Sequence, residues 1–250
     1  MSELFNIKTD INLLDIANFY GGNAYREAKP YPHTVIDGLF PPDVLNGVLK
    51  EFPDPKDWPA KWGRRDDPYQ KKFGSKGTDL FGPCTKNLID QLNSQPFLDF
   101  LTVATGIKGL MADPELVGAG LHQIARDGYL AIHADFNKAH HRDRRLNVLV
   151  YLNEEWDESW GGHFELWNQD LTKKEKAVLP VFNRVVIFNT DEKSFHGHPS
   201  PLKCPPDRSR KSLALYYYTK GVRDDGVSDK FKFEYVDTNW QTPKKKIKMM

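Results

Sequence analysis

The run Tyr129-Leu130-Ala131-Ile132-His133-Ala134-Asp135-Phe136 alternates loosely and reads as the end of a β-strand. Side chains two apart on a strand project from the same face. His133 and Asp135 therefore present an imidazole and a carboxylate together, near enough to share a metal ion. One further histidine from a later strand completes a set of two imidazoles and a carboxylate, which leaves coordination positions open and suits an oxygen-activating ferrous ion. The chain supplies that histidine in Ser194-Phe195-His196-Gly197-His198, where His196 and His198 share a face if the segment is extended. A His-x-Asp tripeptide alone recurs by chance in many proteins, so the order of what surrounds it decides the reading.

Around this stretch the pattern is that of a mainly β protein with flanking helices. From Gly118 onward short alternating segments are separated by Gly, Asn and Asp turns, with candidate strands at Gly120–Ala125, Tyr129–Ala134, Leu146–Asn153, His163–Trp167, Val185–Asn189 and Ser212–Thr219. Such spacing points to an antiparallel sandwich or barrel. Upstream, His33–Phe40 reads as a short strand, and Pro41-Pro42 opens a helix with Leu45, Val48, Leu49 and Phe52 on one face. A second helical stretch runs from Lys86 to Thr105, with a break expected at Asn93–Pro96. The stretch between them, Pro53 to Pro83, is rich in Pro, Gly, Lys and Asp and reads as a long loop, either a flap over a site or a plain surface connection. Phe231–Val236 alternates and suggests one more edge strand. The expected architecture is a jelly-roll core braced by N-terminal helices. Its parts are a support region at 1–117, a core at 118–220 and a C-terminal extension at 221–250, all within a single overall domain.

Composition narrows the function. With 250 residues, 39% hydrophobic and 28% charged, the chain can bury a core and stay soluble. A net charge of +1 offers no broad electrostatic footprint for nucleic acid or a membrane. The tail Lys244-Lys245-Lys246-Ile247-Lys248 reads as a solvated end. Cys84 and Cys204, far apart and outside any Cys-x-x-Cys pattern, suit free thiols in a reduced compartment. The charged stretch from Met1 to Asn18 lacks a secretory apolar core, and no apolar run reaches membrane-spanning length. A cytoplasmic protein is the expectation. The sequence carries no signal of oligomeric state.

The last core strand contains Arg210-Lys211-Ser212-Leu213-Ala214-Leu215-Tyr216. Period two puts Arg210, Ser212, Ala214 and Tyr216 on one face. A cation followed by two small residues is an unusual core face. It leaves room for a ligand, and the guanidinium matches a carboxylate; pairing with a surface acid at the strand mouth is the alternative. On the strand at 146–153, Asn147, Leu149 and Tyr151 form a mixed face that suits a cavity wall. Tyr129 shares the face of His133. A packed tyrosine with a satisfied hydroxyl is the common fate of such residues.

The ordered series Gly120-Leu121-His122, His133-Ala134-Asp135-Phe136, Arg145-Leu146-Asn147, Tyr151-Leu152-Asn153, Gly161-Gly162, Ser194-Phe195-His196-Gly197 and Arg210-Lys211-Ser212-Leu213-Ala214 resembles the 2-oxoglutarate and Fe(II)-dependent oxygenases, and within them the prolyl 4-hydroxylase-like branch. The resemblance implies a double-stranded β-helix with Fe(II) held by His133, Asp135 and His196. It also implies 2-oxoglutarate as cosubstrate, with Arg210 and Tyr151 on its distal carboxylate and Tyr129 and Asn147 as further contacts to the cosubstrate or to the metal ligands. O2 is the oxidant, and ascorbate is a cofactor the branch allows. His196 rather than His198 fits the family pattern. The proline-rich insert Pro199–Asp207 lengthens the spacing to Arg210, so Lys211 and Arg208 stand as alternative anchors. The halogenating relatives lack the carboxylate that Asp135 supplies, so its presence implies hydroxylation.

The expected reaction is hydroxylation of an unactivated C–H bond, of a prolyl residue in a protein or peptide, with release of succinate and CO2. The alternatives are a free amino acid or other small-molecule substrate, a cupin-like metal enzyme not using 2-oxoglutarate, or a non-enzymatic jelly-roll binding module. Trp156, Trp160 and Trp167, around Gly161-Gly162, are candidates for a substrate groove, with rim packing as the other reading.

Overall fold

The computed structural model describes residues 5–54, 63–75, 77–79, 81–135, 138–139, 142–220, 234–235 and 247–248. Helices α1 (Ile7–Asp10), α2 (Leu13–Tyr20) and α3 (Asn23–Arg26) lead into strand β1 (His33–Asp37) and helix α4 (Pro42–Lys50). Strands β2 (Gly63–Asp67) and β3 (Gln70–Gly74) follow, then helices α5 (Pro83–Leu92) and α6 (Gln95–Thr105). The remaining strands are β4 (Met111–Ala112), β5 (Gly120–Ala125), β6 (Tyr129–His133), β7 (Lys138–Ala139), β8 (Arg142–Tyr151), β9 (Phe164–Trp167), β10 (Lys174–Val178), β11 (Arg184–Asn189), β12 (His196–His198) and β13 (Ser209–Lys220). Short strands β14 (Glu234–Tyr235) and β15 (Ile247–Lys248) pair with each other. The expected edge strand Phe231–Val236 is described only at Glu234–Tyr235, and the basic tail lies outside the described residues apart from Ile247 and Lys248. Among the described residues no helix is long and apolar enough to cross a membrane.

The strands form one curled antiparallel sheet in the order β1-β11-β8-β13-β5-β3-β6-β12-β9-β10. This is the jelly-roll core. The strands from β1 to β5 make one wall, those from β6 to β10 make the other, and β3 bridges them. It pairs with β5 through Phe73 and Gly74, and with β6 through Gln70 and Lys71. The long loop expected at Pro53–Pro83 is thus replaced, within its described residues, by a β2–β3 hairpin built into the sheet. Its composition hid this: Gly-Arg-Arg-Asp-Asp and Gln-Lys-Lys-Phe-Gly carry almost no apolar alternation, because one face meets solvent and the other a polar cavity. Strand β10, charged and exposed along most of its length, also escaped the pattern, and the later strand that carries His196 is only three residues long.

The helices cover the back of the first wall. On β13, Leu213, Leu215 and Tyr217 point to the helical side, where they join Val148 and Val150 of β8, Leu88 and Leu92 of α5, and Phe97 and Leu101 of α6 in one core. The Tyr217 hydroxyl donates to the Leu92 carbonyl (2.8 Å), tying the sheet to the end of α5. The helical stretch at Lys86–Thr105 breaks where expected, since Asn93 ends the first helix and Pro96 belongs to the first turn of the next. Leu215→Ala, at 1% exposure in this core, is expected to cost about 2–5 kcal/mol in urea unfolding. Leu14→Ala, at 60% exposure, should stay within about 0.5 kcal/mol of the parent.

Candidate metal centre

The open mouth between the two walls is a cavity of about 330 Å³. Arg210, Ser212, Ala214 and Tyr216 of β13 all line it, as the period-two reading of that strand requires. Asn147 and Leu149 of β8 line it beside them, while His122 of β5 and Lys72 of β3 close the far side.

His133 stands at the end of β6 and Asp135 just beyond it. Strand β12 pairs with β6 so that His196 lies opposite His133. The two imidazole centroids are 4.5 Å apart. Close backbone approach is a condition of this pairing. A Cβ on Gly197 would stand 2.7 Å from the Ala131 carbonyl oxygen and 2.8 Å from that of Leu130, so glycine is the residue that fits.

The three side chains are buried, and their ligand atoms all lie within 4.8 Å of one another. His133 Nδ1 donates to the Ala131 carbonyl and His196 Nδ1 to the Ser194 carbonyl, both at 2.8 Å. Each ring therefore turns an Nε2 lone pair inward. His133 Nε2 is 3.5 Å from Asp135 Oδ1, and His196 Nε2 is 3.6 Å from Asp135 Oδ2. Burial works against ionisation of Asp135, yet the two imidazoles, when each carries an Nε2 proton in place of a metal, hold its carboxyl well below the usual range by hydrogen bonds and charge. Burial and the neighbouring His133 push the His196 imidazole down, so it resists supplying positive charge as a proton. Three inward-facing donors around one point, two nitrogen and one oxygen, fit a divalent cation with open positions, and ferrous iron in particular.

A layer of polar groups fixes the carboxylate. Tyr216 donates its hydroxyl to Asp135 Oδ2 (2.9 Å), and Asn147 donates Nδ2 to the same oxygen (3.2 Å). Burial and the Asp135 charge push the Tyr216 hydroxyl well above its ordinary value, so it stays a donor. Arg144 lies flat on Tyr216, its guanidinium carbon 3.6 Å from the ring centroid and its Nη1 4.0 Å from Asp135 Oδ1.

At the other end of the cavity sits Arg210, 6% exposed. Its Nε donates to the Gly162 carbonyl (2.8 Å) and its Nη2 to the Tyr151 hydroxyl (3.1 Å). Both acceptors are neutral, and no carboxylate pairs with Arg210 among the described residues, so its charge calls for an anion. Gly162 makes room for it: its φ is +73°, and a Cβ there would meet Leu202 Cδ2 at 2.7 Å and Arg210 Cδ at 3.0 Å. Lys211, on the opposite face, and Arg208, bonded to the Glu154 carbonyl, do not line the cavity. Burial pulls the half-buried Lys72 ammonium down to about 8, and burial together with Lys72 pulls His122 down to about 3.

Some expectations do not meet the site. Tyr129 donates its hydroxyl to the Asp67 carbonyl (3.0 Å), so it supports the β2–β3 hairpin and does not line the cavity. Tyr151 is fully buried behind Arg210 and reaches the cavity only through it. The three tryptophans line no groove there. Trp156 packs edge-on against Trp160, and Trp167 donates to Glu165. Conversely, Tyr216, Arg144 and Lys72 are at the site without having been assigned a role, and His198, the alternative to His196, lines the cavity outside the three-residue cluster. Tyr216 was legible from its shared face with Arg210. Arg144 was not: a register shift pairs Tyr217 with Leu146 but Tyr218 with Arg144, which changes the parity of β8 and turns Arg144 to the side of Asn147.

Comparison with known proteins agrees with this geometry. The chain is 25% identical over 197 residues to prolyl 3-hydroxylase OGFOD1 of Mus musculus, across 77% of this chain and 33% of that protein. It thus spans about a third of the length of that curated relative. Its fold matches a Pseudomonas putida prolyl-4-hydroxylase (TM-score 0.57, 14% identity, 84% of this chain and 98% of the other). It also matches a Phytophthora capsici prolyl 4-hydroxylase (TM-score 0.55, 21% identity, 87% and 68%). A third match is a Trichoplax adhaerens prolyl hydroxylase in complex with a hypoxia inducible factor oxygen degradation domain peptide (TM-score 0.54, 16% identity, 82% and 90%). Residues 119–218, which carry His133, Asp135, His196 and Arg210, match the 2OG-Fe(II) oxygenase superfamily.

Proposed function

We propose that this protein is an Fe(II)- and 2-oxoglutarate-dependent dioxygenase that hydroxylates an unactivated C–H bond of a prolyl residue in a protein or peptide, releasing succinate and CO2. Residues 118–220 are its catalytic core and 1–117 the support. The observation that carries this reading is a cavity with a buried His133-Asp135-His196 cluster at one end and an anion-seeking Arg210 at the other. A prolyl substrate is supported by the mouse relative, which is a prolyl 3-hydroxylase.

Each residue has a role set by its contacts. His133, Asp135 and His196 hold the metal. Bound iron supplies the oxygen chemistry at the substrate carbon, as a cofactor does. Tyr216 and Asn147 hold Asp135 Oδ2, which leaves Oδ1 turned inward as the ligand. Arg210, oriented by the Gly162 carbonyl and the Tyr151 hydroxyl, grips the distal carboxylate of 2-oxoglutarate. Phe164, Leu149 and Ala214 give the cavity an apolar wall that keeps bulk water from the reacting centre.

His133→Ala and Asp135→Ala should each abolish substrate-stimulated succinate release and lower bound iron well below one per chain by elemental analysis. Full turnover in either variant contradicts the ligand set. Arg210→Ala should raise the 2-oxoglutarate concentration needed for half-maximal succinate release by roughly tenfold to a hundredfold, the value of a buried charged hydrogen-bonded contact. Tyr216→Phe should keep the fold and weaken metal binding by roughly tenfold to a hundredfold in chelator competition. Proline-containing peptides should stimulate succinate release above free amino acids; the reverse order would reassign the substrate to a small molecule.

A further inference from the structure

His198, like His122, is an imidazole of the cavity wall that the reading above leaves without work. It is 3% exposed, and neither ring nitrogen has a hydrogen-bond partner among the described residues. A buried polar side chain left in that state costs about 1–3 kcal/mol, so a site that keeps it has something for it to bind. Its position says what. Strand β12 carries His196 and His198 two residues apart, both on the cavity wall. Two residues of strand advance about 6.6 Å, so His198 stands one step along the wall from the metal cluster. Its charged neighbours there are Arg210 and Lys72.

The two cations make this the anion pole of the cavity. An imidazole carries at least one N–H donor in either protonation state. An N–H facing an anion held by a guanidinium is a charge-assisted donor. Tyr151 already lends its hydroxyl to Arg210, whereas His198 lends its nitrogens to no described residue.

We propose that His198 is a binding residue for the cosubstrate, donating a ring N–H to the same distal carboxylate that Arg210 grips. This rests on the reading that the cavity takes 2-oxoglutarate. The anchor is then a guanidinium and an imidazole on two different walls of the jelly roll, β13 and β12, so that cosubstrate binding ties the two walls together.

The test uses the full chain loaded with Zn(II), which binds without turnover, and compares 2-oxoglutarate with 2-oxobutyrate, the same keto acid without a distal carboxylate. By calorimetry, His198→Ala should weaken 2-oxoglutarate about tenfold or more and leave 2-oxobutyrate within about twofold, the difference expected for one charged hydrogen bond. His198→Gln, which restores an N–H, should recover part of the loss. Zn(II) affinity should not move in either variant. Equal weakening of both ligands would assign His198 to packing and overturn the proposal, as would unchanged 2-oxoglutarate binding. Should the variants not fold, the wild-type protein labelled with 15N-histidine decides. 2-Oxoglutarate should shift a His198 ring nitrogen and slow exchange of its proton, and 2-oxobutyrate should do neither; the same response to both ligands overturns the proposal. A wild-type protein that holds Zn(II) but binds no 2-oxoglutarate would overturn the dioxygenase reading itself, and this inference with it.

Discussion

The antiparallel pairing of β6 with β12 is the contact on which the rest depends. It sets His196 opposite His133, and it holds only because Gly197 lets the backbones close to a distance that a Cβ would block. The backbone then does a second job. The Ala131 and Ser194 carbonyls take the Nδ1 proton of each histidine and so decide that both rings turn Nε2 to the centre. Two strands distant in sequence thus become one rigid donor set, with the carboxylate of Asp135 held from behind by Tyr216 and Asn147. Pre-organisation of this kind removes the cost of gathering ligands when the metal arrives.

Charge organises the remainder of the cavity. Arg65, Lys72, Arg144 and Arg210 face it, and Asp135 is the one carboxylate that lines it among the described residues. Arg144 is stacked on Tyr216 close to Asp135 and serves the cluster. Arg210 meets only a carbonyl and a hydroxyl, and Lys72 is desolvated enough to lose much of its hold on its proton. A cavity with this imbalance favours an anionic occupant. The bridging strand β3 contributes by carrying Lys72 across the gap between the two walls, which turns a sheet edge into a third side of the site.

The helices have a separate task. Their apolar stripes pack on Leu213, Leu215, Val148 and Val150, the residues that alternate with the cavity-lining ones. Each strand of the first wall is therefore pinned on one face by hydrophobic burial while its other face stays polar and open. That division lets the core tolerate a row of buried polar groups, since the stabilising area lies behind them.

What the chain by itself determined is whatever depends on local period and residue type. The alternation in β5, β8 and β13, the apolar stripe of α4, the His133–Asp135 pair and the odd face Arg210-Ser212-Ala214-Tyr216 are all consequences of side-chain direction two or four residues along. Tertiary structure alone decided the rest. The β2–β3 hairpin has no apolar rhythm because it faces water and a polar cavity. The bulge in β8 reverses parity midway and turns Arg144 inward. Tyr129 left the site because its hydroxyl reached the hairpin's Asp67 carbonyl first. His196 and His198 share a strand face, and what separates their surroundings is the partner across the gap, His133 opposite the first and Leu130 opposite the second. Local rules give the direction in which a side chain points; which groups it meets there is set by how distant strands pair.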